Sequence, residues 1–361
     1  MEGVAPSEES PSLSRRQFLG ILGAGLASVA LPAFAVGGVL EGRDLTTRHI
    51  TLSHRELPSA FDGYRFLQLT DLHGSRFGDG QRLLLEAIRR ERFDAVLLTG
   101  DYVGVRTQEQ RPKAALAPLQ EVLPGLPRGV PAYYLLGNWD IPLLVDDPPG
   151  APYGPVCEAL EAAGARWIYP ATEIERGGQR IFLTHWVYQA PTSKAALDEA
   201  IATFDAIDDW HTERQQKFLG ETQRFLERFD ERRDFNICVT HGAIDFAYGP
   251  ALTKNRAEIA AARADFPRRM IDWKLGISGH THGGQIRLPF VGPLLTPNGD
   301  GNLMGAFLPK GGDRHMYGVH AEGDGRSQWI SAGLGAGGPI PALRFRFYNP
   351  PEIAIITLRK G

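Results

Sequence analysis

Cysteine is almost missing from this chain: Cys157 and Cys238 are the only two among 361 residues, and neither belongs to a CxxC or CxxH pair. Neither a thiolate zinc knuckle nor a disulfide framework can therefore be read. Cys238 lies in the apolar run 235–239 and reads as a small buried hydrophobe, with a bridge to Cys157 open only in an oxidising compartment. Excess charge is also lacking. A net charge of -3 leaves no global basic field, so a polyanion would need a local site and no nucleic-acid partner is expected. The chain shows no internal repeat and no long linker. With 43% hydrophobic residues it can bury a substantial core.

Residues 1–13 are rich in Ser, Glu and Pro and read as a disordered leader. The pair Arg15-Arg16 follows, then residues 17–40 without a single charge, rich in Gly and Ala, with small residues for cleavage at Ala33-Phe-Ala35. An amphipathic helix is the competing reading, but no polar face interrupts the run and its glycines would weaken a soluble helix. Residues 1–45 resemble a twin-arginine signal peptide. The resemblance implies export across the cytoplasmic membrane by the twin-arginine translocation machinery, to the periplasm or cell surface. Residues 17–40 are also long enough to tether the chain to the membrane if uncleaved.

Residues 46–361 alternate apolar runs with helical patterns. Strands are expected at 66–70, 95–99, 132–136, 181–184, 236–240, 275–278 and 353–358, and helices at 81–92 and 213–229. The stretch 145–154 reads as a surface insertion. This alternation argues an α/β sandwich formed as one domain. The glycine-rich 333–338 is no dinucleotide fingerprint, because Pro339 and Pro341 stand where a helix should begin, and it reads as a loop near the site. Alternation of Arg and Phe over 343–348 predicts an ordinary amphipathic strand.

Polar residues fall at the ends of the strands. The run 66–70 leads into Asp71-Leu-His73, 95–99 into Gly100-Asp101, and 132–136 into Gly137-Asn138-Trp139-Asp140. Later, 236–240 leads into His241, and 275–278 into Gly279-His280-Thr281-His282. One such residue alone is a turn former or a scaffold histidine. Five strands ending this way can converge at the carboxyl edge of an open α/β sheet, where ligands bind. Carboxylate and amide oxygens mixed with imidazole nitrogens suit two divalent or trivalent first-row cations, such as Mn, Fe or Zn.

The ordered set resembles the calcineurin-like metallophosphoesterases, whose signature runs DxH, GDxx, GNH(D/E), H and GHxH, over roughly residues 64–358. The resemblance implies a four-layer α/β/β/α sandwich of two mostly mixed sheets. It also implies one ion on Asp71, His73 and His282, a second on Asn138, His241 and His280, and Asp101 bridging them. Asp101, Asn138, Asp140 and His241 would form the catalytic set. The implied reaction is attack of a metal-bridging hydroxide on the phosphorus of an ester.

One position departs from the signature. Trp139 replaces the histidine that contacts phosphate and protonates the leaving oxygen, and an indole has no labile proton to give. Asn138, Trp139 and His185 are the candidate substrate contacts, with a scaffold role as the plainer reading of His185. A leaving group that is already a stable phosphate anion needs little protonation. The expected substrates are therefore phosphodiesters or diphosphates of an envelope lipid, nucleotide-sugar or polymer, met at a membrane surface if the leader is retained. The competing readings are a phosphomonoesterase on the same scaffold and a non-catalytic phosphate-binding envelope protein.

Overall fold

A computed structural model describes residues 44–104, 116–140, 154–168, 171–185, 224–225, 227–230, 233–244, 273–290, 292–293, 316–323, 325–338 and 343–361. The leader, the insertion 145–154 apart from its last residue, and the helix expected over 213–229 apart from residues 224–225 and 227–229 lie outside these. Among the described residues no helix is long and apolar enough to cross a membrane.

The first sheet contains β1 (Thr46–His54), β2 (Arg65–Leu69), β3 (Ala95–Thr99), β4 (Ala132–Leu135), β5 (Arg166–Trp167) and the long β14 (Glu352–Lys360). They lie in the order β1-β14-β2-β3-β4-β5, parallel except where β14 runs against β2. The second sheet is built from β6 (Ala171–Arg176), β7 (Gln179–Thr184), β8 (Phe235–Val239), β9 (Leu275–Ser278), β12 (Gly318–Gly323) and β13 (Arg326–Ile330). Its order is β12-β13-β9-β8-β7-β6, with antiparallel pairs at both edges and four parallel strands between. A two-stranded hairpin joins β10 (Arg287–Leu288) to β11 (Gly292–Pro293).

The two sheets pack face to face. Phe66, Leu97, Tyr133 and Leu135 from the first meet Ile181, Leu183, Ile237, Leu275, Ile277 and Trp329 from the second. On the outer face of the first sheet, Leu67, Val96, Leu98 and Tyr134 are covered by three helices. These are α1 (Arg82–Arg89), α2 (Ala117–Val122) and α3 (Gly154–Ala162). Strands covered on both faces must be apolar throughout, which is why β3 reads Ala-Val-Leu-Leu-Thr with every residue buried. Each such leucine or isoleucine contributes about 2–3 kcal/mol by leaving water. Phe225 and Phe229 cover Phe182 on the outer face of the second sheet.

One polar bridge crosses the interior. The Gln68 amide donates to Thr99 Oγ1 and to the Ser278 carbonyl, both at 3.0 Å, and accepts from Trp329 Nε1 at 2.9 Å. A buried amide with its partners satisfied fixes the register between the sheets at the end where the strands terminate.

The expectation of a strand over 343–348 is corrected. Only Phe347 makes an isolated bridge, to Ile286. Arg346 is buried and its guanidinium donates to the carbonyls of Ala332, Gly333, Gly335 and Asn349. Satisfying a buried cation this way turns the backbone out of a ladder, so Arg346 points inward while Phe345 is exposed.

Candidate metal centre

The strand ends keep pairing after the sheets stop. Asp71 N donates to Gly100 O and His73 N to Asp101 O, each at 2.9 Å. In the second sheet Thr240 N donates to Ile277 O at 3.0 Å and Gly279 N to His241 O at 2.8 Å. His280 N then reaches across to Asp71 Oδ2 at 3.0 Å. The outcome is two clusters, Asp71 with His73 and His282, and Asp101 with His241 and His280, each with its ligating atoms within 4.8 Å of one another.

Asp101 lies between the clusters. Its Oδ2 is 3.4 Å from His73 Nε2 and 3.1 Å from His241 Nε2. Asp71 Oδ1 is 3.7 Å from His282 Nε2 and 4.0 Å from both His73 Nε2 and His241 Nε2. The imidazoles face each other in pairs, His73 Nε2 against His282 Nε2 and His241 Nε2 against His280 Nδ1, each at 3.1 Å. His73 Nδ1 is buried with no partner. Four imidazoles and two carboxylates turned inward onto one point form a donor set that fits a pair of first-row cations.

Second partners set the tautomers. His241 Nδ1 lies 2.8 Å from Thr99 O and His282 Nδ1 3.3 Å from Gly335 O, so Nδ1 carries the proton in each and Nε2 faces the centre. Burial lowers His73 and His280 to about 4 and His282 to about 3, leaving neutral nitrogens with free lone pairs. For His241 burial also opposes charge, but Asp101 and Asp71 outweigh it and raise the imidazole to about 10. Burial pushes the Asp101 carboxyl up, and His241 and its neighbours more than reverse this, holding it well below the usual range.

The backbone is strained at these positions. Asp71, His73, Asp101, His280 and His282 all have φ between 46° and 71°. Such left-handed conformations cost on the order of 1 kcal/mol each for residues with a Cβ, and they cluster where geometry serves function. Close approach adds a second constraint. A Cβ on Gly137 would lie 2.1 Å from Asp101 Oδ1, and one on Gly337 would lie 2.5 Å from His73 Nε2. The glycine-rich 333–338 is thus packed directly over the first cluster.

Residues 64–284 match the calcineurin-like phosphoesterase family. The chain belongs to that family. As a calcineurin-like phosphoesterase it is a phosphoester hydrolase of mixed α/β fold. It is 27% identical over 356 residues to the uncharacterized metallophosphoesterase YkuE of Bacillus subtilis, covering 96% of this chain and 98% of that protein. A 45-residue stretch is 47% identical to the phosphodiesterase YaeI of Escherichia coli, covering 12% and 16% of the two chains. The crystal structure of a dimetal phosphatase from Danio rerio aligns at 13% identity and a TM-score of 0.38, over 75% of this chain and 88% of that one.

Of the seven metal candidates, six are brought together in this phosphoesterase and Asn138 stands apart. It is exposed, and among the described residues its side chain makes no hydrogen bond to either cluster. Asp140, expected in the catalytic set, is buried and accepts from three backbone N–H groups. Its Oδ2 accepts from Asp101 N at 2.6 Å and Gly137 N at 2.9 Å, and its Oδ1 from Tyr102 N at 2.9 Å. Burial and the Asp101 charge raise this carboxyl to about 7, against the backbone N–H groups that favour its ionised form. Trp139 is buried, with its ring edge-on to His73 at 5.2 Å between centroids, while its backbone N–H donates to Asp101 Oδ1 at 2.7 Å. His185 Nδ1 lies 3.2 Å from Val239 O.

Two arginines escaped the sequence reading. Arg346 ties the 332–335 loop that accepts Asp71 as a neighbour, since Gly335 N donates to Asp71 O at 2.6 Å. Arg344 lies over the Trp139 ring, 5.2 Å from its centroid. The signal available was their nearness in sequence to a glycine-rich run, which does not say which arginine turns inward.

Proposed function

We propose that this chain hydrolyses phosphodiester or diphosphate bonds whose leaving group is already a stabilised anion. The observation that carries this is Trp139, a buried indole packed on His73 at the position where the family signature has histidine. Its N–H is not a labile proton at neutral pH, so the side chain cannot protonate a departing alkoxide. A pair of cations bound here would neutralise phosphoryl oxygens as Lewis acids and supply a nucleophile at neutral pH. Asp71, His73 and His282 would hold one, and His241 and His280 the other, with Asn138 completing the second if its amide turns inward.

The chain's own residues do the positioning. Asp101 offers Oδ2 to both clusters while Trp139 N holds its Oδ1. Asp140 holds the Asp101 backbone in its left-handed conformation. In hydrolysis of a diphosphate the water oxygen bonds to one phosphorus and the bridging P–O bond breaks. The electron pair stays on the departing phosphate. Above its second pKa of about 6 that phosphate needs no added proton, and both water protons pass to solvent. The short similarity to a phosphodiesterase supports a diester substrate.

Arg15-Arg16 and the uncharged residues 17–40 support export by the twin-arginine route and an envelope lipid, nucleotide-sugar or polymer as substrate. Replacing Arg15 and Arg16 with lysine should hold the chain in the cytoplasm, and unchanged fractionation would remove this part of the proposal. For the chemistry, manganese-loaded protein is assayed with bis(4-nitrophenyl) phosphate, 4-nitrophenyl phosphate and UDP-glucose. Preference for the diester and diphosphate is expected, and Trp139→His should raise turnover of poor leaving groups by about 100-fold or more. Preference for the monoester would overturn the proposal.

A further inference from the structure

We propose that Arg344 is the specificity-determining cation of this site and binds the second phosphate of a diphosphate substrate. The inference rests on the leaving-group reading above and deepens it. Arg344 is exposed, and its guanidinium is anchored twice: it lies over the Trp139 ring at 5.2 Å, and its Nε donates to the Gly338 carbonyl at 2.8 Å. Trp139 in turn touches His73, and the loop carrying Gly338 packs over His73 through Gly337. The guanidinium is therefore fixed to both structures that border the first cluster.

Only Nε is used. Among the described residues, Nη1 and Nη2 make no hydrogen bond and no carboxylate pairs with the group. With Nε committed to the Gly338 carbonyl, the Nη1 and Nη2 edge is left as a planar N–H fork, the geometry that receives two oxygens of one phosphate. Contact with the indole face and the Gly338 carbonyl restricts the side chain before substrate arrives, so less rotamer freedom is lost on binding. The replacement of histidine by Trp139 then has two effects together. It removes the proton donor and creates the platform for a permanent cation, which stabilises charge on a departing phosphate and gives nothing to a neutral alcohol.

The test uses full-length, manganese-loaded protein and two hydrolysis-resistant probes, methylenediphosphonate and methylphosphonate, titrated by calorimetry. Arg344→Ala should weaken the diphosphonate about tenfold or more beyond any change for the monophosphonate, and Arg344→Lys, lacking the fork, should fall between. Because the side chain is exposed, the melting temperature of either variant should stay within about 2 °C of wild type. Equal weakening of both probes, or no weakening, overturns the proposal, as does wild type that binds the two alike. Kinetics separate it from the reading beneath. If wild type prefers 4-nitrophenyl phosphate to both bis(4-nitrophenyl) phosphate and UDP-glucose the leaving-group reading fails, whereas the binding ratio still reports on Arg344.

Discussion

Replacing Gly137 with alanine should disable the centre while every candidate ligand residue is kept. Gly137 is not among the residues of positive φ, so alanine can adopt its backbone conformation and only space is at issue. The added Cβ would lie 2.1 Å from Asp101 Oδ1, 2.4 Å from Asp101 N and 2.7 Å from Asp101 Cγ. Ordinary contact begins at 3.4 Å, so the carboxylate must retreat by more than 1 Å. That movement strains two bonds, Trp139 N to Asp101 Oδ1 at 2.7 Å and Asp101 N to Asp140 Oδ2 at 2.6 Å. Hydrogen bonds to charged groups contribute about 1.5–3 kcal/mol each, and partial relaxation leaves an expected loss of about 3 kcal/mol. A reacting geometry displaced by about 1 Å costs about 100-fold in turnover. The assay is turnover of bis(4-nitrophenyl) phosphate together with bound metal and thermal melting. Gly129→Ala is the control, since that glycine has φ of 84° and nothing within 4 Å of an added Cβ. It should lose about 1 kcal/mol of stability and no turnover. Gly137→Ala protein that keeps both ions and turns over within about threefold of wild type would refute the reasoning.

Asp140→Asn must present an amide NH2 toward backbone donors that a carboxylate now accepts, and should lose about 2–4 kcal/mol in urea unfolding together with metal affinity; unaltered stability and metal content would contradict the positioning account of Asp140. Arg346→Met leaves the carbonyls of Ala332, Gly333, Gly335 and Asn349 short of a donor in a buried setting, for an expected loss of about 3–5 kcal/mol in the same measurement. A series of aryl phosphodiesters should show kcat/KM falling steeply with the pKa of the leaving phenol, and Trp139→His should flatten that slope. A shallow slope in wild type would mean that another side chain already donates the proton.

Sequence pattern went furthest where burial is two-sided. The runs 95–99 and 275–278 were placed to the residue, because strands covered on both faces leave an uninterrupted apolar signature. It failed at β12, where Gly-Val-His-Ala-Glu-Gly alternates half-buried and exposed positions at a sheet edge and carries little apolar signal. The convergence of Asp71, Asp101, His241 and His280 was legible because each follows a strand directly, and topology supplies the rest. For Asp140 the structure adds what pattern cannot carry: a carboxylate beside a metal motif reads as catalytic in sequence, and its contacts with the backbone N–H groups of 101, 102 and 137 appear only in the fold. Arg344 and Arg346 differ by two positions and in roles, one on an indole face and one among carbonyls, and the pattern of alternation does not tell those environments apart.

The central claim is that Asp101 is shared by two cation sites, and metal stoichiometry tests it most directly. Inductively coupled plasma mass spectrometry on protein reconstituted with manganese should find two ions per chain in wild type. Asp101→Asn should lower that number, because a neutral amide is a weaker donor toward either cluster. One ion or none in wild type, or two retained undiminished in Asp101→Asn, would contradict the account.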